Sequence, residues 1–234
     1  MSPTINSFDW EDIFSSEPGI GVSIVSQEGY VLYSNAAAFS LFQAEPVETT
    51  EPWHLTDRFN ADFVRERLEW ISEVLNSGKP LLAHHIYGGK DLQSMLYPVT
   101  RNDQPAVLVI TRRDGVPPAS HLRTVESRYI DLGELSSLSP RELEVFILLG
   151  HGKSVPEVAR MLYRSPRTIE RHKTEIGHKL GISTIADIAR MVAQTGLTYD
   201  HTRLERFQAV VKNARRSADF KPNPLEGPGE GERT

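Results

Sequence analysis

The 234-residue chain contains no cysteine. Disulfides, thiolate-held iron–sulfur clusters and thiol catalysis are thereby excluded, and the composition fits a reducing compartment. Long apolar runs are missing as well. The longest, such as residues 106–110, are far shorter than the roughly 20 residues a membrane helix needs. The N-terminus carries Asp9, Glu11 and Asp12 where a secretory signal would have a basic segment ahead of an apolar one. A cytoplasmic protein without a membrane partner is expected.

Positive charge is scarce overall, with a formal net of −5, but it is unevenly placed. Residues 1–113 hold 8 Lys/Arg against 15 Asp/Glu, whereas residues 138–197 hold 9 against 6. Residues 164–179 alone carry five basic side chains and two acidic ones, with His172 and His178 interleaved. A basic segment inside an acidic chain is what local phosphate contact requires. Chemistry-bearing constellations are absent from residues 1–137, where no paired nucleophile and base, metal cluster or phosphate loop is visible. Gly88-Gly89 and Gly227-Pro228-Gly229 carry no loop signature, so no enzyme is expected. Strand alternation sends His84 and His85 to opposite faces, which argues against joint metal ligation. Trp10, Trp53 and Trp70 read as packing residues.

The N-terminal region reads as alternating strand and helix. Ile20, Val22 and Ile24 alternate with small residues, Gln27-Glu28-Gly29 make a turn, and residues 30–34 return as a second strand. Asn35 then caps a short helix through Phe42. Asn60 caps a longer helix to Asn76, on which Val64, Leu68, Ile71 and Leu75 share one face and which Gly78 stops. Three strand-like runs follow at residues 81–86, 92–99 and 106–111, separated by Gly88-Gly89 and Asn102-Asp103 turns. Residues 114–137, opening on Gly115, Pro117 and Pro118, form a linker. Its Leu122, Val125, Tyr129 and Leu132 fall at heptad-like spacing, which suits either a signalling helix pairing two chains or a segment docked on its own domain. Residues 198–234 form a tail, with disorder expected from about residue 219; its Arg203, Arg206, Lys212, Arg215 and Arg216 read as a solvated face.

Residues 138–197 announce four helices by their ends. Ser139-Pro140-Arg141-Glu142 is a capping box with proline at the first helical position, and Gly150 and Gly152 close the helix. Ser154-Val155-Pro156-Glu157 repeats the device ahead of the stripe Val155, Val158, Ala159 and Leu162. Ser165-Pro166 caps a third helix running to Leu180 and stopped by Gly181, and Ser183 opens a fourth. On the third helix, Ile169, Ile176 and Leu180 mark the inward side, while Glu170, Arg171, Thr174 and His178 share an outward face.

Two resemblances follow from these residues. Residues 8–113 resemble the PAS domain, a sensory and dimerising module, through the order of two strands, helices and three strands. The local match is Gly21-Val22-Ser23-Ile24-Val25, Gly29, Tyr33 and Asn35-Ala36-Ala37; residues 43–59 match nothing. Some PAS domains bind flavin or haem. A flavin adduct needs a cysteine and a helix-bound haem needs a histidine, which residues 60–77 lack, so no cofactor is expected. The acidic opening of a phosphoacceptor receiver domain is also missing.

Leu138-Ser139-Pro140-Arg141-Glu142, Val158-Ala159, Ser165, Arg167-Thr168-Ile169-Glu170, His172, Ile176 and Lys179-Leu180-Gly181 resemble the LuxR-type (GerE-like) helix-turn-helix family. That resemblance implies a dimeric binder of double-stranded DNA. It implies base contacts from Glu170, Arg171 and Thr174 and phosphate contacts from Arg167, Thr168, His172, Lys173, His178 and Lys179. RNA polymerase is a candidate partner, and the signal to the N-terminal domain is not identified. Two departures stand out: position 170, often basic in the family, is acidic, and Gly177 interrupts the third helix at a cost of about 1 kcal/mol. The expected fold is therefore α+β, a PAS-like antiparallel sheet with helices joined to an all-α four-helix domain. The expected function is a sequence-specific transcriptional regulator; the alternatives are a sigma-like polymerase specificity factor and a PAS-mediated interaction module.

Overall fold

The computed structural model describes residues 19–42, 51–113, 122–204, 207 and 210. Trp10, the opening of the first domain from residue 8, the Gly115-Pro117-Pro118 segment, the tail cations Arg206, Lys212, Arg215 and Arg216, and the disorder expected from about residue 219 lie outside the described residues. Two compact units divide the chain. One runs to Glu134 and takes in residues 189–197; the other holds residues 135–188 and those from Thr198 onward. Among the described residues no helix is long and apolar enough to cross a membrane.

The first unit is a seven-stranded sheet in the order β3-β2-β1-β6-β5-β4-β7. Its strands are β1 (Gly21–Ser26), β2 (Tyr30–Ser34), β3 (Trp53–His54), β4 (Leu81–Tyr87), β5 (Lys90–Arg101), β6 (Gln104–Arg113) and β7 (Arg123–Ile130). Helices α1 (Ala36–Leu41) and α2 (Ala61–Ser77) separate the opening hairpin from the rest. The order of two strands, helices and three antiparallel strands is the PAS-like arrangement the sequence implies. Both tight turns are two-residue hairpin loops with positive φ, Gly88-Gly89 between β4 and β5 and Asn102-Asp103 between β5 and β6. Asn35 does more than cap α1. Its Oδ1 accepts from the Val22 and Ala38 amides at 2.9 Å each, and its Nδ2 donates to the Ile20 carbonyl. One side chain thus holds helix to strand.

Helix α2 begins at the Asn60 cap and ends at a left-handed Gly78, as its sequence predicts. Its buried face is wider than the expected stripe: Phe63, Val64, Trp70, Ile71 and Val74 are buried, while Leu68 and Leu75 are only partly covered against the same core. That face also buries a carboxylate, Glu66, which is 3% exposed.

The linker expectation is corrected in one respect. Residues 123–130, read as a possible helix on heptad-like spacing, are strand β7, paired parallel to β4 from Leu81↔Arg123 onward. Val125 and Tyr129 pack on the core with Ser127 buried between them, an i, i+2, i+4 alternation. Val125 and Tyr129 lie four apart, a separation that satisfies both strand and helix periods, and the polar Ser127 conceals the alternation. The strand is clamped to α2. Glu66 accepts from the Arg128 amide (2.6 Å) and the Ser127 hydroxyl, Glu69 pairs with Arg128, and Glu73 pairs with Arg123. Three carboxylates at i, i+3 and i+7 on one helix thereby meet two arginines of the strand.

The second unit contains α3 (Pro140–Gly150), α4 (Val155–Met161) and α5 (Pro166–Leu180) together with the start of α6 (Ile185–Thr195). Leu143 and the run from Val145 to Leu149 are all buried, so α3 is the apolar centre against which α4 and α5 pack.

Candidate nucleic-acid interface

Local chemistry sets each helix end. Ser139 and Glu142 make the reciprocal capping box of α3, with the Ser139 amide donating to Glu142 Oε2 at 2.7 Å. The Ser154 amide donates likewise to Glu157 (2.8 Å). Ser165 Oγ accepts from the Thr168 amide at 3.1 Å and starts α5, whose first helical residue, Pro166, has no N–H to leave unsatisfied. Thr184, not Ser183, caps α6: it exchanges hydrogen bonds with Asp187 in both directions. The Thr-x-x-Asp spacing carries that signal. Between α4 and α5 the chain reverses through Tyr163, held at φ 53, and the Arg164 amide reaches back to the Ala159 carbonyl at 2.9 Å.

This turn sets α5 across the other two helices, and its faces follow at about 100° per residue. Ile169 and Ile176 are fully buried. On the opposite side Arg167, Glu170, Arg171, Thr174 and His178 are all exposed. The three side chains expected to meet bases therefore lie together on one exposed surface, and Arg167 and His178 share it. The remaining expected phosphate contacts, Thr168, His172 and Lys179, occupy one shoulder of the helix, and Lys173 lies on the other.

Several of these groups already have partners. Lys173 Nζ pairs with Glu170 Oε2 at 2.9 Å, one turn apart, and Thr174 Oγ1 donates to the Glu170 carbonyl. Lys179 Nζ donates to Glu142 Oε2 at 2.6 Å, joining α5 to the capping box of α3. Burial pushes the Glu142 carboxyl up, but the hydrogen bonds from Lys179 and Ser139 outweigh it and hold the group below its usual value. His172 is half-buried, and desolvation, opposed in part by Glu142, lowers its pKa. One carboxylate thus serves as the cap of α3 and as an anchor for the far end of α5. No sequence signal links Glu142 to a lysine 37 residues away.

Gly177 has a packing explanation. A Cβ there would stand 2.7 Å from the Ile182 carbonyl oxygen, and the Ile182 amide donates to the Gly177 carbonyl at 3.1 Å. The chain leaving α5 must pass this close before α6 can start. The helical penalty of glycine is the cost of that approach.

Outside this region, His84 and His85 do face apart. His85 is buried with Nε2 2.8 Å from Ser94 Oγ, and His84 is half-buried. Among the described residues no three His, Cys, Asp or Glu side chains are grouped to hold a metal ion.

Comparison with known proteins bears on the same segment. Residues 136–192 match the family model described as bacterial regulatory proteins, luxR family. The transcriptional regulatory protein TdiR of Thauera aromatica is 34% identical over 67 residues, 29% of this chain and 29% of that protein. An HTH-type transcriptional regulator of Mycobacterium tuberculosis is 35% identical over 60 residues, 26% of this chain. This chain spans only 7% of that relative. Among solved structures, a Vibrio cholerae VqmA–ligand–DNA complex aligns at 15% identity and TM-score 0.42, covering 86% of this chain and 96% of that one. The PAS domain of nitrogen regulation protein NR(II) from Vibrio parahaemolyticus aligns at 17% identity and TM-score 0.34, covering 46% of this chain and all of that domain. The four capped helices, the exposed basic face of the third and the family match coincide in one segment: residues 136–192 are a LuxR-family helix-turn-helix domain.

Proposed function

We propose that the protein is a sequence-specific, dimeric regulator of transcription that inserts α5 into the major groove of double-stranded DNA, with the sheet unit supplying the input. The observation that carries this reading is the exposed face formed by Arg167, Glu170, Arg171, Thr174 and His178. The B-DNA major groove admits a helix and displays a distinct donor and acceptor pattern for each base pair. In this reading Arg171 is bidentate to guanine O6 and N7. A carboxylate has about four lone-pair sites, so Glu170 accepts from cytosine N4 while it keeps Lys173. Each half-site then contains a G·C pair. Arg167, Thr168, His172, Lys173 and His178 contact the phosphates.

Lys179 is assigned mainly to holding α5 on α3 through Glu142. The polymerase specificity factor reading needs a helical core-binding domain, and the described residues of the first unit form a seven-stranded sheet with two helices instead.

The test is selection of bound sequences from a random duplex pool by the full chain, followed by titration of the selected site and of random DNA at several salt concentrations. Arg171→Ala weakens binding to the selected site more than to random DNA. Arg167→Ala weakens both alike and lowers the salt slope by about 1. Failure to bind any duplex at low salt overturns the reading.

A further inference from the structure

The sheet unit holds a half-open cavity of about 80 Å³ between α2 and the inner face of the sheet. Its walls are mostly apolar, with aromatic rings that include Phe42, Phe59, Phe63 and Trp70, and its polar lining is Ser23, Ser34, Arg67, Ser94 and Thr111. Arg67 is the unexpected one. Its side chain is 12% exposed and its guanidinium lies between two rings, 4.2 Å from the Phe63 centroid and 4.1 Å from Trp70. One Nη donates to Glu66 at 3.1 Å, the one hydrogen bond it makes among the described residues out of five N–H donors.

Glu66 is not devoted to Arg67, since the same carboxylate accepts from Ser127 and from the Arg128 amide. Desolvation outweighs Glu66 and lowers the Arg67 pKa to about 10, which leaves the group charged at neutral pH but short of compensating negative charge. Opposite, Ser94 and Thr111 hydroxyls share a 2.8 Å hydrogen bond backed by His85. His85 is held neutral by burial, with Arg67 and His84 adding to the effect. Its Nδ1 is buried with no hydrogen-bond partner among the described residues.

We infer that this cavity is a binding site for a small organic carboxylate, whose flat or short apolar body lies among the aromatic rings and whose carboxylate takes the free edge of Arg67. A planar guanidinium matches a carboxylate in bidentate geometry. The aromatic walls give an apolar body its burial. The hollow is small and opens to solvent, which suits a short-chain or single-ring acid with part of its body at the mouth. A salt-bridged arginine serving only structure would face its partner and the protein, not an apolar hollow with hydroxyls across it.

The site rests on the reading of this unit as the input domain, and it suggests the route of the signal. An anion drawing on Arg67 competes with Glu66, which also clamps β7, the last strand before the chain enters the helical unit.

The experiment uses the full chain without DNA. Thermal shift and calorimetry at pH 7 compare benzoate and butyrate with their neutral amides, benzamide and butyramide, on the wild type and on Arg67→Gln. The expected result is saturable binding and a raised Tm for at least one acid. Its amide should bind at least tenfold more weakly, and the acid's advantage should be lost in Arg67→Gln. Equal binding of acid and amide, or no binding of either acid to the wild type, overturns the inference. The acid–amide comparison is made on the wild type, so it decides even if the variant does not fold. Duplex titration in parallel separates the two ideas: a bound acid that leaves DNA affinity unchanged keeps the site and removes its role as input.

Discussion

The two units place their polar side chains in opposite ways. In the helical unit, apolar residues fill the interior apart from the capping carboxylate of Glu142, and the arginines of α5 stand outside; Ile169 and Ile176 are fully buried while Arg167 and Arg171 are exposed. In the sheet unit, a whole cluster of polar groups goes inside: the charged Glu66 and Arg67 and the neutral His85, Ser94 and Thr111 are buried or nearly so. A surface that must meet solvated phosphates and base edges needs no desolvation before its partner arrives. A pocket that recognises a small molecule must hold its polar groups dehydrated in advance, and those groups need a carboxylate or hydroxyl beside them to remain there. The difference shows where each unit can bind.

The contrast can be broken most forcefully at Glu66. Glu66→Ala leaves a largely buried guanidinium and the Arg128 amide without this acceptor and removes one of the acceptors of the Ser127 hydroxyl. Chemical denaturation should show a loss of about 3–5 kcal/mol. Removing the exposed Glu175 of α5 in the same way should change stability by less than about 0.5 kcal/mol. Similar losses from the two would mean that the sheet unit does not depend on its internal charge.

The next largest effect is on binding. Arg171→Ala should cost about 1–3 kcal/mol of discrimination between the selected site and random DNA, measured by fluorescence anisotropy, with no change in Tm. An equal loss on both DNAs reduces Arg171 to a phosphate contact.

Gly177→Ala comes third. In an ordinary exposed helix this change stabilises by up to about 1 kcal/mol. Here the added methyl meets the Ile182 carbonyl, and a net loss of about 1–2 kcal/mol is expected from thermal unfolding. A gain would show that the chain after α5 can give way.

Smallest is the tie between Lys179 and Glu142. The folded-state pKa of Glu142 lies below its usual 4.5. Its stabilising contribution is therefore complete above that value and is lost as pH falls through the lowered one. Lys179→Met should cost about 1 kcal/mol at pH 7 and flatten this acid-side dependence; an unchanged profile would locate the acid sensitivity elsewhere.

Much of this architecture can be read from local residue patterns. Ser139 with Glu142, Ser154 with Glu157, and Ser165 with Pro166 each act within one turn, so three helix starts follow from residues in immediate sequence. The Gly88-Gly89 and Asn102-Asp103 turns declare their hairpins in the same way. Where patterns mislead, a distant partner decides. Strand β7 pairs with β4 some forty residues earlier, and its Ser127 and Arg128 are met by Glu66 across 61 and 62 positions. On α2 the stripe of Val64, Leu68, Ile71 and Leu75 identifies a helix but not how far round its buried face extends, because Phe63 and Trp70 turn toward a cavity that exists only once the sheet has closed.

By itself, then, the sequence determined the helix-turn-helix, its outward basic face and the strand–helix–strand order ahead of it, because caps, periodicity and turn residues act over a few positions. The tertiary structure alone decided that β7 joins the sheet, that Lys179 is bound to Glu142, and that Arg67 faces an aromatic cavity. Those outcomes depend on desolvation and on partners far along the chain, and neither is encoded in any short stretch of residues.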